Sequence, residues 1–252
     1  MTYNVHGCVG LDFQWSEKRI AEVIRSFDPD IVALQELDLG RRRSGSVDQA
    51  GIIADILGFD RFFFPVMRKD EEHYGDAILS RWPIQRKITM QLPSEKAFPF
   101  REHRGALWAQ IETPLGRVNV VNTHFGLGAA ERRDQAKALI GPDWIGGIPE
   151  TEPVIVMGDF NSLPGSPAYR VLAGALRDAS RAHGRGNRPT FPTFLPVFAL
   201  DYIFVNLACE VRGVSVGAGS AARLASDHFP LLGWIVPHTD TNVTRMKTDL
   251  SA

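Results

Sequence analysis

The sequence predicts an α/β fold in which two β-sheets pack face to face with helices on the outside. Three observations predict it. Apolar, strand-like runs alternate with amphipathic helical stretches along the chain. No linker, low-complexity stretch or short repeat divides the 252 residues, which are enough to bury a substantial core. Polar side chains recur at the ends of the apolar runs rather than inside them. Residues 1–236 therefore read as one domain, and 237–252 as a polar tail that frays.

The elements follow in order. "MTYNVHG" reads as the end of a strand. "WSEKRIAEVIRSF" places Ile20, Val23, Ile24 and Phe27 on one helical face, and Pro29 separates it from a buried strand at Ile31 to Leu34. "SVDQAGIIADILG" carries a capping-box spacing between Ser46 and Gln49, with Gly58 at the stop. "RFFFPVM" and "YGDAILSRWPI" are strand-like, and "GALWAQIETPLGRVNVVNTHF" is a hairpin turning at Thr113–Gly116. "AAERRDQAKALIG" is a helix and "PVIVMGDF" a buried strand, with Gly158 leaving room for close backbone approach. "SPAYRVLAGAL" is a helix opened by Ser166 with Pro167 in its first turn. Residues 179–199 read as a loop, and "LDYIFVN", "CEVRGVSVG" and "HFPLLGWIV" as the closing strands.

Composition narrows the function classes. With 44% hydrophobic and 23% charged residues the chain has the make-up of a soluble globular protein. A net charge of −1 excludes a surface-wide basic field, so any contact with nucleic acid must be local. Cys8 and Cys209 form neither a disulfide framework nor a zinc set, which points to a reducing compartment. No apolar run reaches the roughly 18 residues of a spanning helix, and the start lacks the pattern of a signal peptide. The expectation is a cytoplasmic monomer without stable membrane insertion.

The polar strand ends carry the chemistry. They are Asn4, Gln35–Glu36, Tyr74 and Asp76, Asn122 and His124, Asp159 and Asn161, Asp201, and Asp227–His228. Any one of these alone is explained by turn chemistry. Together, on one rim, they make a set of hard oxygen donors suited to magnesium or manganese, and the absence of cysteine disfavours zinc. Two histidines beside a hard cation suit phosphoryl transfer to water. Asp159 and Asn161, two apart on a strand end, are expected to face the same side, with Phe160 opposed.

These stretches resemble the endonuclease/exonuclease/phosphatase superfamily, which includes deoxyribonuclease I, on its bacterial metal-dependent hydrolase branch. "TYNVHG", "PDIVALQE", "YGDAILSR", "RGAL", "VNTHFG", "GDFNSLPGSPAY", "LDYIFV" and "SDHFPL" occur in the family's order over residues 2–231. The resemblance implies a four-layer α/β/β/α sandwich of two mixed sheets. It also implies a phosphodiesterase dependent on magnesium, or manganese in its place, in which activated water attacks phosphorus in line. Asn4 and Glu36 would hold the metal, with Asp227 as a further ligand or a support for His228. Asp159 would position or deprotonate the water, and Asn161 would orient it and the phosphate. His228, paired with Asp201, would contact the scissile phosphate, with His124 as the second imidazole. Arg104 would approach the phosphate, Arg101 being the alternative. One residue departs from the family pattern: Asp76 stands where bacterial members carry Asn, which suggests an Asp76–His124 pair favouring imidazolium.

The substrate is a phosphodiester, with nucleic acid, a lipid or a small molecule as the candidates. The near-zero charge disfavours a broad duplex binder, and "LDYIF" replaces the signature of inositol polyphosphate phosphatases. An Arg-rich groove leading to Asn161 would favour nucleic acid, and an exposed apolar lip near residues 191–198 would favour lipid. Arg41–Arg43 are candidates for phosphate contact, and Trp144 and Phe191–Phe194 for contact with a base or a lipid chain. The alternative is a catalytically inactive binding module on the same scaffold; Glu36, Asp159 and His228, whose loss would have favoured it, are all present.

Overall fold

The computed structural model describes residues 1–94, 102–184, 186 and 188–238. Arg101 and the tail from residue 239 onward, both singled out in the sequence, lie outside the described residues.

The elements run β1 (Thr2–Asn4), α1 (Glu17–Phe27), β2 (Ile31–Leu39), α2 (Gln49–Leu57), β3 (Asp60–Lys69), β4 (Glu72–Ser80), β5 (Ile84–Gln91), β6 (Gly105–Thr113), β7 (Gly116–His124) and α3 (Ala129–Leu139). They continue β8 (Val154–Asp159), α4 (Pro167–Ala175), β9 (Arg177–Asp178), α5 (Ala179–Ala182), β10 (Asp201–Val205), β11 (Cys209–Val216), α6 (Ser220–Ala225) and β12 (Leu231–Pro237). Two six-stranded sheets form, in the orders β11-β12-β1-β2-β4-β3 and β5-β6-β7-β8-β10-β9. Each is mixed: β1–β2 and β7–β8 are parallel and the other pairs antiparallel.

Three apolar layers hold this together. Ile78, Leu107, Val120, Met157 and Ile203 belong to the layer between the sheets. Ile20, Ile24 and Ile53 of α1 and α2 pack on the first sheet. Leu139 and Leu172 of α3 and α4 pack on the second with Val121, Val156 and Phe204. The result is the expected α/β/β/α sandwich. Each strand between two such layers is apolar on both faces, which is why "VIVM" is an unbroken run and does not alternate.

Local differences from the sequence reading have local causes. Helix α2 is capped by Asp48, whose carboxylate accepts from the Gly51 N–H at 2.9 Å, while Ser46 sits in the left-handed region at φ 58. Asp is as good an N-cap as Ser, and it stands one residue before the helix. Strand β5 was not anticipated, because its residues Arg86 and Lys87 are exposed on an edge and its pattern is correspondingly polar. Helix α5 occupies the start of the segment read as a loop. Trp144 is buried, its ring 6.0 Å from that of Trp108, and is a core residue.

Gly158 does what the sequence suggested. A Cβ there would lie 1.9 Å from the Thr123 carbonyl oxygen on the paired strand β7, at a φ of 157. The strand end that carries Asp159 depends on that approach. Gly158→Ala is expected to cost about 3 kcal/mol or more of unfolding free energy, because the clash is with backbone and cannot be relieved by a rotamer change. Denaturant titration measures it.

Candidate active site

The strand register assembles the site. On the second sheet Asp159 is paired with His124 of β7 on one side and with Asp201 of β10 on the other. All three are buried. On the first sheet Asn4 at the end of β1 is in register with Gln35, and Glu36 follows at a bulge in β2. Glu36 adopts φ 64, an unfavourable value for a residue of its kind, and its N–H donates to Asp76 at 3.3 Å. The two rims meet: Asn4 Nδ2 donates to Glu36 Oε1 at 2.8 Å and to Asp159 Oδ2 at 3.1 Å.

Asn161 is not placed by strand alternation. The strand stops at Asp159, and Asn161 takes a left-handed conformation, φ 47, that Asn tolerates well. Its N–H donates to Asp159 Oδ1 at 2.8 Å, and its Nδ2 donates to the Phe125 carbonyl at 2.9 Å. Phe160 between them points into the outer core, edge-on to Phe125 and Phe204 at 4.9 and 5.5 Å, and fixes the turn from behind.

The two histidines differ in charge, His228 cationic and His124 neutral. His228 Nδ1 stands 2.9 Å from Asp201 Oδ2, and Nε2 stands 3.7 Å from Asp159 Oδ2. Burial opposes its charge, but the Asp201 and Asp159 carboxylates outweigh burial and raise the imidazolium pKa to about 10. His124 is driven the other way, well below its ordinary value, by burial first, then by the Arg104 guanidinium and by His228. Arg104 Nη1 lies 3.1 Å from His124 Nδ1. A guanidinium only donates, so Nδ1 accepts from it. The other ring nitrogen, Nε2, stands 3.1 Å from Asn161 Nδ2, 3.6 Å from Asp159 Oδ2 and 4.0 Å from Glu36 Oε1. Burial also raises the Asp159 pKa.

This arrangement corrects the expected Asp76–His124 pair. No Asp76 oxygen comes within 4.0 Å of a His124 nitrogen; Arg104 holds that position, and Asp76 supports the Glu36 backbone instead. His124 is consequently neutral, not imidazolium. Asp227 also stands apart. Its Oδ1 lies 3.4 Å from Ser226 Oγ and 3.9 Å from His6 Nδ1. It does not join Glu36 and Asp159 in a group whose ligand atoms all lie within 4.8 Å of one another. Among the described residues that spacing is met by Asp159, Asp201 and His228. There the Asp201–His228 hydrogen bond and a positive imidazole disfavour a cation. Asn4 Oδ1, which accepts from the His6 N–H at 3.0 Å, and the carboxylate of Glu36, partly open to solvent, are the hard oxygens that fit a cation better.

Several supporting roles escaped the sequence reading. Thr190 Oγ1 donates to Asp201 Oδ2 at 2.6 Å, and the Phe191 ring, singled out in the sequence for a base or a lipid chain, lies against His228 at 4.7 Å. Ser226 Oγ donates to the Asn4 carbonyl at 2.8 Å and accepts from the His228 N–H at 3.3 Å. Glu102 lies 3.0 Å from Arg104 Nη1. Only the "SDH" spacing hinted at any of these, through Ser226. Arg43 donates through Nε and Nη2 to the buried Asp38, both at 2.8 Å, which makes it a fixed part of the rim rather than a free basic loop.

A model of the Endonuclease/Exonuclease/phosphatase family matches residues 1–228. The chain is 30% identical over 243 residues to the uncharacterized protein YbhP of Escherichia coli strain K12, covering 92% of this chain and 93% of that one. Among solved structures it is similar to an endonuclease/exonuclease/phosphatase from Beutenbergia cavernae, with a TM-score of 0.76 and 24% identity over 94% of this chain and 70% of that one. It is also similar to a mannosyl-6-phosphatase of Bacteroides thetaiotaomicron, with a TM-score of 0.74 and 22% identity over 93% of this chain and 98% of that one. These structural likenesses establish the fold.

The charge assignment is testable by histidine NMR. The His228 pKa is raised above its unfolded value of 6.5, so the stability it contributes is complete below that pH and is lost as pH rises through about 10. Its ring resonances should keep the imidazolium shift well above neutrality. In Asp201→Asn the ring should become neutral by about pH 7, since burial is then opposed by one carboxylate fewer.

Proposed function

The chain belongs to the endonuclease/exonuclease/phosphatase family of phosphoester hydrolases, and we propose that it is a divalent-metal-dependent phosphodiesterase acting by in-line attack of water. One observation carries the reading. A desolvated carboxylate, Asp159, lies between a neutral and a charged imidazole and is tied by Asn4 to a second carboxylate, Glu36.

The roles follow from the geometry. Asp159 takes one proton from the attacking water as the water oxygen bonds to phosphorus. Its raised pKa makes it a competent acceptor near neutrality. Asn161, held by its own bonds to Asp159 and Phe125, orients the water and the phosphate. His228 offers an N–H of a permanent imidazolium to a phosphate oxygen, and Arg104 adds a buried positive charge. The ester oxygen leaves with the bonding electron pair and is protonated by solvent. Asn4 and Glu36 would hold a magnesium or manganese ion, whose charge neutralises phosphate oxygens and lowers the pKa of bound water. A diester suits the site better than a monoester. The diester brings one negative charge, and Arg104 is already partly neutralised by Glu102.

Asp159→Asn and His228→Ala should each lower turnover of a soluble phosphodiester, at saturating magnesium, by about a thousandfold, within the usual range for acid–base groups. Undiminished turnover in either variant rejects the mechanism. Glu36→Gln should raise the magnesium concentration needed for half-maximal rate, and chelation of the ion should stop wild-type turnover.

A further inference from the structure

Most of the exposed large hydrophobic side chains among the described residues gather on three neighbouring segments beside the catalytic rim. Phe13 is 79% exposed, Phe194 66%, Leu195 61%, Val197 53%, Trp15 48% and Leu224 42%. The segments are bonded to one another. The Leu11 N–H donates to the Leu224 carbonyl at 3.0 Å, and Thr193 Oγ1 donates to the Ser226 carbonyl at 2.9 Å. Arg223 Nη1 donates to the Phe194 carbonyl at 3.5 Å. The lip is continuous with the chemistry, because the segment that bears Phe194 to Phe198 begins at Thr190 and Phe191, which brace Asp201 and His228.

Its charge is distinctive. Residues 191–198 include no ionisable side chain. Asp12, the acid of the first segment, is neutralised by Arg19, which donates to both its oxygens at 2.7 and 3.1 Å. Arg223 is exposed and has no carboxylate oxygen within 4.0 Å among the described residues; its guanidinium lies 5.8 Å from the Phe229 ring. The lip is therefore apolar with one uncompensated cation set in it. That combination matches a phospholipid surface, where acyl chains take the apolar side chains and a headgroup phosphate takes the guanidinium. Nucleobases fit it less well. Leu195, Val197 and Leu224 offer no ring to stack on, and Arg223 is a single cation where a strand of phosphates would need several.

We propose that this lip docks on an anionic phospholipid surface and presents a membrane phosphodiester to Asp159 and His228; this rests on the phosphodiesterase reading above. Docking is peripheral and reversible. Two short loops and the end of α6 supply it, and no described helix is long and apolar enough to cross a membrane.

The test uses the full chain and vesicles of phosphatidylcholine and phosphatidylglycerol in equal parts. The wild type should float with the vesicles and hydrolyse their phosphodiesters. A triple variant carrying Phe13→Ser, Phe194→Ser and Leu195→Ser should bind about tenfold or more weakly, given the apolar area removed. Arg223→Glu should weaken binding to these vesicles and leave binding to pure phosphatidylcholine little changed. Turnover of soluble bis-(para-nitrophenyl) phosphate should be unaltered in both variants, which also shows that they fold. The proposal is overturned if the wild type stays off the vesicles or if the triple variant binds as well as the wild type. It is equally overturned if the lip instead mediates a dimer, seen by sedimentation, that the triple variant abolishes. If the wild type binds vesicles through the lip yet hydrolyses no phosphodiester, the catalytic reading fails while the docking surface stands.

Discussion

The site is organised around one carboxylate withdrawn from water. Asp159 accepts hydrogen bonds from Asn4 of the opposite sheet and from its own turn through Asn161, and lies within 3.7 Å of both imidazoles. Each of these contacts offsets part of the cost of burying a charge, and none would be worth much in water. Removing the group would take away the acceptor that the Asn4 amide and the Asn161 N–H share. The surrounding fold can be read as the means of keeping this oxygen pair in place.

Two devices do so. Within the second sheet, ladder pairing puts Asp159 in line with His124 and Asp201, and Gly158 lets β7 come close enough to complete that line. Between the sheets, a polar bridge crosses the apolar layer. Gln35 Nε2 donates to Asn122 Oδ1 at 2.7 Å, and Asn122 Nδ2 donates to the Leu34 and Ala77 carbonyls, both at 2.8 Å. Apolar contacts alone allow two sheets to slide over each other. A buried bridge with its partners satisfied does not, and it sets the rim that carries Asn4 and Glu36 against the rim that carries Asp159.

The sandwich and the membership of the rim were legible because both are written in strand runs and strand ends. The partnerships across the rim were not. The resemblance suggested an Asp76–His124 pair, but pairing depends on which side chain fills the gap, and the long guanidinium of Arg104 reaches His124 first. That partner keeps His124 neutral rather than imidazolium, which no spacing could have revealed. Asn161 was expected on a strand, but a two-residue period says nothing once the chain turns left-handed after Asp159. Thr190 was invisible, and Phe191 was read as a substrate contact and not as the brace of His228, because both lie in a loop whose path only the folded chain defines. Asp48 displaced Ser46 as the cap of α2 for a simpler reason, since two capping residues stood close together and the nearer one won.

The loop from Thr190 to Phe198 is pinched shut at its base. Phe191 N–H and Phe198 N–H donate to each other's carbonyls at 3.1 and 2.8 Å, and Thr190 N–H also donates to the Phe198 carbonyl at 2.9 Å. Everything between is outside the clasp. Thr193 is tied back to the His228 segment, its N–H donating to the Asp227 carbonyl at 2.8 Å, but residues 194–197 beyond it can be exchanged, lengthened or shortened over generations without displacing the hydroxyl on Asp201 or the ring on His228. A scaffold built this way can trade one class of phosphoester for another while its chemistry is inherited unchanged.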